Sequence, residues 1–244
     1  MKNIIKKLIR YFGFEIKRFQ PEESDAAMIK KLIDVYNIDL VLDVGANIGQ
    51  FSRELRVSGY NGKMVSFEPL LDAHKLLSEN AIKDKNWIVA PRMAIGENVG
   101  EMTINVSENS YSSSLLPMLR VHFKAAPDSH YIGSEKINVT TLDLAASQYL
   151  EDKNHIYLKI DTQGFEDKII KGGGETLSKT EIVQIELSLV PLYEGQLLFL
   201  DIISILSEIG FELCGIIPVF IDNETGNLLQ FDGVFKKIKC TGTV

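Results

Sequence analysis

The chain has 244 residues, 45% of them hydrophobic and 24% charged, with a formal net charge of −7; this is the balance of a globular domain with its own core, and it excludes a disordered chain. The acidic balance argues against a nucleic-acid partner, Cys214 and Cys240 make neither a metal motif nor a disulfide framework, and no apolar run reaches the roughly 18–20 residues of a membrane span. With lysines interrupting its N-terminal apolar residues, the chain has no signal-peptide core, and the expected location is the cytoplasm.

Residues 1–20 form a segment of their own. Lys2, Lys6, Lys7, Arg10, Lys17 and Arg18 stand against Glu15 alone. Ile4, Ile5, Leu8, Ile9 and Phe12 share one helical face, and the basic residues avoid it. The pattern predicts an amphipathic basic helix over residues 1–12. Such a helix lies on the inner face of an anionic membrane or packs on its own protein. After the polar break around Pro21, Ser24 or Asp25 caps a second helix running to about Tyr36.

Strands and helices then alternate through one domain, 21–244. Strands are predicted at 39–44, 63–68, 87–95, 155–161 and 181–188, and helices at 48–59, 70–83, 165–173 and 198–210. Residues 211–221 and 228–237 read as a closing antiparallel pair. The alternation predicts an α/β fold, a mainly parallel sheet with helices on both faces. An insertion at about 100–140 breaks the rhythm, with extra strands at 101–107 and 136–143 around a loop rich in serine, ENSYSSSLLPM. Long irregular loops in compact domains are often functional.

The first chemical signal is VLDVGANIGQFS, residues 41–52. A buried strand ends at Asp43 and Val44, Gly45 to Gly49 turn sharply, and a helix begins, which is the Rossmann arrangement. The second is Glu68 in SFEP, at the end of the next strand, where a carboxylate accepts hydrogen bonds from two ribose hydroxyls. The turn reads D-x-G-x-N-x-G rather than G-x-G-x-x-G. A carboxylate before the first glycine repels a pyrophosphate and suits an ammonium. The candidate cofactor residues are therefore Asp43, Gly45, Asn47, Gly49 and Glu68, with S-adenosylmethionine favoured over a nicotinamide cofactor.

These segments resemble the FkbM-type methyltransferases. The likeness runs through VLDVGANIGQFS, SFEP, SSSLL (112–116), VTTLDL (139–144), LKIDTQGFEDKIIKGG (158–173), IELSLVPLYEGQ (185–196) and QFDGVF (230–235). It implies a Rossmann-like class I methyltransferase sheet, S-adenosylmethionine as methyl donor, and O-methylation of a hydroxyl on a glycan or related small-molecule acceptor. One position departs from it: where relatives often carry an acid in a D-V-E-G pattern, this chain has Gln163.

Methyl transfer to an alcohol gains from a base and from an acceptor held in line with the methyl group. Asp161, ending the fourth strand, is the first choice for base or acceptor orientation, against a role as helix cap. Glu186, late in the fifth strand, is the second. His122 is a further catalytic candidate, and His130 shares its insertion. Lys159 is read as alternating away from Asp161 and forming a structural ion pair. Asp161 and Glu186 could share a hard cation, but two carboxylates without a third ligand do not favour a metal. Ser113, with Tyr111, Ser112 and Ser114, closes over the cofactor or meets a polyhydroxylated acceptor. Tyr193 stacks on a sugar or packs, and Trp87 is core or sheet edge. The alternatives are a nicotinamide-dependent oxidoreductase and a non-catalytic cofactor-binding module. The sequence sets no oligomeric state.

Overall fold

A computed structural model describes residue 7 and residues 9–150 and 155–238. Most of the predicted N-terminal helix lies outside the described residues, as does Cys240; residues 9–11 are helical. Helix α1 (Asp25–Val35) starts where Ser24 accepts a hydrogen bond from the Ala27 N–H, so Ser24 is the cap. Strand β1 (Leu40–Val44), helix α2 (Gln50–Val57), β2 (Lys63–Phe67), α3 (Leu71–Ala81) and β3 (Trp87–Val89) follow in strict alternation.

The predicted strand at 87–95 is two strands. Pro91 lacks an N–H and interrupts the ladder. Beyond it, β4 (Ala94–Gly96) joins β5 (Gly100–Ser107) and β6 (Tyr131–Thr141) in a separate three-stranded sheet. The second extra strand therefore starts earlier than predicted and stops at Thr141, whose side chain accepts from the Leu144 N–H and caps α5 (Leu142–Ala146). A short helix that the sequence pattern did not reveal, α4 (Arg120–Ala125), sits between β5 and β6.

The main rhythm then resumes with β7 (Ile156–Ile160), α6 (Glu166–Lys171), α7 (Gly174–Ser178), β8 (Thr180–Ser188), α8 (Phe199–Glu208), β9 (Phe211–Ile221) and β10 (Leu228–Lys237). The main sheet has seven strands in the order β3-β2-β1-β7-β8-β10-β9. β3 to β8 run parallel, and β10 is antiparallel to both its neighbours. This is the Rossmann-like methyltransferase sheet.

Both faces are covered, as near-continuous apolar strands require. Leu40, Leu42, Leu158 and Val183 pack under α5 to α8 through Leu142, Ile169, Leu177 and Leu206. Val41, Met64, Tyr157 and Ile182 pack under α1 to α3 through Ile29, Leu55 and Leu77.

The turn after β1 is built on two left-handed glycines, Gly45 (φ 83°) and Gly49 (φ 85°). A Cβ at Gly45 would run into the carbonyl oxygen of Asp161, so the turn and the end of β7 touch backbone to backbone. A Cβ at Gly49 would stand 2.5 Å from the Trp87 ring and 2.8 Å from Leu77. Trp87 is buried and donates to Ser66 Oγ at 2.9 Å, so it has little room to yield. Gly49→Ala should therefore cost about 1–3 kcal/mol of stability, the usual range for overpacking. A urea titration reads this as a lower midpoint at unchanged slope; an unmoved midpoint would mean that neither the ring contact nor the left-handed backbone at this position resists a side chain.

Candidate active site

A cavity of about 500 Å³ opens at the carboxyl ends of β1, β2, β7 and β8, where open α/β sheets place their ligands. Asp43, Gly45, Asn47, Glu68, Ser113, Asp161 and Glu186 all line it. Gly49 is outside the lining, beneath the turn on Trp87.

On one side, Glu68 organises the turn. It is 3% exposed and accepts from the Asn47 N–H and the Leu70 N–H, each at 2.8 Å. Asn47 (φ 48°) accepts from the Ile48 N–H and donates to Ser110 Oγ at 3.1 Å, which ties the turn to the serine-rich loop. Of the four non-glycine residues with positive φ among those described, Asn47, Ser110 and Gln163 line the cavity. Backbone in such a sparsely populated region is costly and clusters at functional sites.

Beneath the cavity a row of polar residues crosses the buried sheet at one level. Ser66, Asp43, Lys159 and Gln184 are register partners from β2 to β8. Asp43 accepts from Ser52 at 3.0 Å and from Ser66 at 3.3 Å. Lys159 Nζ donates to Asp232 at 3.0 and 3.1 Å and to Asp161 at 3.3 Å. This corrects the expectation that Lys159 points away from Asp161: residues two apart on a strand share a face. The ion pair itself is present, but at the cavity.

Asp161 ends the row as the accessible carboxylate, with 35% of its side chain exposed. Its Oδ1 accepts from Gln163 Nε2 at 3.0 Å, and the same nitrogen donates to Glu186 Oε2 at 2.7 Å. Gln230 also donates to Glu186 Oε2 at 2.7 Å. Asp161 does not take the cap role weighed for it: the N-cap position of α6 is Phe165, without a side-chain cap bond, and Glu166 accepts from the Thr162 and Gly164 N–H groups of the preceding turn at 3.1 Å. A cation shared by Asp161 and Glu186 would have to displace the Gln163 amide, and among the described residues no group of three His, Cys, Asp or Glu side chains could hold a metal ion.

Of the other candidates, Ser113 and Tyr111 line the cavity, whereas His122, His130, Ser112, Ser114 and Tyr193 stand outside its lining. His122 is 2% exposed, packed against Tyr193 and Phe220, with Nε2 3.2 Å from Ser112 Oγ. Burial lowers its pKa to about 4, so it is a neutral ring behind the site. His130 is exposed beside Glu108. Ser112 and Ser114 are buried, and Ser114 Oγ donates to the Gln163 carbonyl at 2.6 Å. Ser113 Oγ accepts from the Ser107 N–H at 3.0 Å. Tyr111 is exposed at the cavity mouth. Tyr193 is buried, so it packs; its hydroxyl donates to Gln163 Oε1 at 2.8 Å. Asp232, Gln184 and Gln230 are site residues missing from the sequence reading. The available signal was an aspartate inside an apolar strand, since such a residue is almost never buried without a partner.

Burial raises Asp43 to about 6, and Glu68 and Glu166 to about 7. Burial also lifts Glu186 well above its ordinary range, reinforced by the charges of Asp161 and Asp232. Burial opposes the charge on Lys159, but Asp161, Asp232 and Glu186 outweigh it and hold the ammonium above the usual lysine range.

A carboxylate with a raised pKa binds its proton more tightly folded than unfolded, so stability falls as pH climbs from the ordinary carboxylate range through the folded value. His122, lowered from 6.5 to about 4, works in the opposite sense across that interval. The clean window lies above it. The melting temperature of the ligand-free protein should fall between about pH 6.5 and 8. Glu166→Gln, which keeps an acceptor oxygen, should make that slope shallower. A flat or rising profile for both proteins would contradict the assignment.

Residues 43–213 match the family described as Methyltransferase FkbM domain. The 2-O-methyltransferase NoeI of Sinorhizobium fredii is 27% identical over 198 residues, covering 76% of this chain and 77% of its own. The crystal structure of methyltransferase FkbM from Methylobacillus flagellatus is similar at 17% identity and a TM-score of 0.49, over 81% of this chain and 44% of that one. This chain thus spans less than half the length of that protein. The magnesium protoporphyrin IX methyltransferase of Synechocystis, solved with bound S-adenosylmethionine, is similar at 10% identity and a TM-score of 0.47, over 87% of this chain and 77% of that one. The family match runs from Asp43 at the turn after β1 through the whole Asp161–Gln163–Glu186 cluster, and it replaces the nicotinamide alternative: the chain belongs to the FkbM methyltransferase family.

Proposed function

We propose that this protein is an S-adenosylmethionine-dependent O-methyltransferase acting on a hydroxyl of a glycan or related metabolite. The observation that carries the reading is the contact of Asp161 with Gly45, which sets an accessible carboxylate against the turn expected to hold the methyl donor. The likeness to a 2-O-methyltransferase supports oxygen as the acceptor atom.

The residues fit the donor. The cavity is of the size that small-molecule sites have. Glu68 has spare lone pairs beyond its two backbone bonds and offers them to ribose hydroxyls. Asp43 and Asp161 supply negative charge for a ligand bearing an ammonium and a sulfonium. When bound, S-adenosylmethionine supplies a methyl group on a cationic sulfur that departs with the bonding pair.

The chain's own part is positioning and proton transfer. Lys159 and Gln163 fix the Asp161 carboxylate from both sides. Asp161 takes the acceptor's hydroxyl proton as the oxygen forms its new bond to carbon, and then releases it to solvent. Glu186, held by Gln163 and Gln230, binds a neighbouring hydroxyl.

Asp161→Asn should lower kcat by about 10²–10⁴-fold, the range for losing a general base, with S-adenosylmethionine affinity changing far less. Glu186→Gln should act mainly on the acceptor KM. Near-normal turnover of the Asp161 variant would remove it from the chemistry.

The N-terminal segment supports a peripheral membrane position for this enzyme. Tyr11, Phe12, Phe14, Ile16 and Phe19 are 84, 66, 70, 57 and 64% exposed. They lie among Arg10, which pairs with Glu15 at 2.6 Å, Lys17 and Arg18, so the segment keeps a net positive charge beside its apolar residues. No helix among the described residues is long and apolar enough to cross a membrane. The full chain should sediment with phosphatidylserine-containing vesicles at low salt and less at high salt, and Phe12→Ser, Phe14→Ser and Phe19→Ser together should abolish this. A wild-type chain that stays in solution with such vesicles would end the membrane reading.

A further inference from the structure

The cavity has two chemically different ends. Glu68 and the serine-rich loop make one, on the β2 side of β1. The other is made by β7, β8, β10 and β9, on the opposite side of β1 in the sheet order. There Asp161, Glu186 and Asp232 converge on the floor, Asp25 of α1 and Glu54 of α2 stand exposed at the rim, and Ile217 and Val219 contribute apolar surface.

Among the described residues, Lys159 is the one basic side chain in the cavity lining. Its ammonium is already divided between Asp232 and Asp161. Both N–H groups of Gln163 Nε2 are taken up by Asp161 and Glu186, and Gln184 Nε2 donates to Asp232 at 2.6 Å. Acceptors are left over. Gln50 Oε1, on a lining residue, is buried without a partner, and both amides that reach Glu186 address Oε2 rather than Oε1. A buried carbonyl oxygen without a donor is costly, and a ligand hydroxyl or ammonium relieves that cost.

The same end resists further negative charge. Asp161 and Asp232 already raise the proton affinity of Glu186. An anion placed among these groups would add to their repulsion, whereas a cation would be attracted by all of them, more strongly as water is excluded.

Resting on the methyl-transfer reading, we propose that the acceptor enters this end as a neutral or amine-bearing polyol, and that phosphate- and carboxylate-bearing acceptors are turned away. Any anionic part of a larger acceptor stays outside the cavity. Selection comes from the excess of carboxylates over basic side chains at this end, Asp25, Glu54, Asp161, Glu186 and Asp232 against Lys159.

The test uses one ring at three charges. The full chain is first titrated with S-adenosylhomocysteine in a calorimeter. With that site saturated, glucosamine, glucose and glucuronate are titrated in turn. Glucosamine should bind tighter than glucuronate by at least roughly tenfold, with glucose between them, and the gap should shrink in high salt. The double variant Asp25→Lys, Glu54→Lys should narrow it at low salt. Equal affinities for the three sugars, binding by none of them, or a preference for glucuronate overturns the proposal. Absence of S-adenosylhomocysteine binding in the first titration instead overturns the methyl-transfer reading beneath it.

Discussion

The site depends on one buried ammonium. Lys159 is 5% exposed and lies between Asp232 and Asp161, with Glu186 close enough to raise its pKa further. Asp232 and Glu186 are direct register partners on antiparallel strands, a pairing of like charges that would otherwise push β8 and β10 apart. Lys159 supplies the compensating charge from the neighbouring parallel strand. A buried pair of this kind adds little net stability, but losing one partner strands the other in low dielectric, at a cost of about 3–5 kcal/mol. Such a cost fixes the composition of the cluster. It also fixes the position of Asp161, because its Oδ2 answers to the lysine and its Oδ1 to Gln163.

Gln163 marks this chain's departure from the family pattern, and the structure gives the departure a physical content. Its Nε2 bridges Asp161 and Glu186, while its Oε1 accepts from Tyr193. An acid in that place would add a carboxylate to two others within hydrogen-bond distance, and would need a proton or a cation to be tolerated. The amide satisfies both carboxylates with a neutral donor. The two carboxylates are thereby bridged by a neutral donor, while Glu186 Oε1 is addressed by neither amide that reaches this side chain.

The fold was legible because its signals are local. Apolar runs, Gly45 and Gly49 at the first turn, and Ser24 before a periodic stretch each report on their own neighbourhood. Pro91 was such a signal too, and reading 87–95 as one strand passed over it. The turn side of the cavity was equally local, since Asp43, Asn47 and Glu68 lie within one βαβ unit. The side built from β7, β8 and β10 was not. Asp232 reaches Lys159 across 73 positions of sequence, and Gln230 reaches Glu186 across 44. Such partners carry no mutual spacing rule; they are brought together by the strand order β7-β8-β10. Lys159 needed only the two-residue period of a strand, applied correctly.

His122 shows why the residue type alone misled. An imidazole in an irregular insertion suggests a base, but this one is enclosed by Tyr193 and Phe220, with Nδ1 buried and unpartnered. It holds Ser112 by its other nitrogen, and the Ser112 carbonyl accepts from the Tyr193 hydroxyl, which also donates to Gln163. Ser114 closes the circuit by donating to the Gln163 carbonyl. The insertion is thus joined to the Asp161–Glu186 cluster through Gln163, itself held in the left-handed region at φ 58°. The neutral histidine anchors the insertion against Tyr193 and Phe220, and Gln163 links it to the two carboxylates. The same glutamine therefore sets both the charge balance of the floor and the seating of the loop above it.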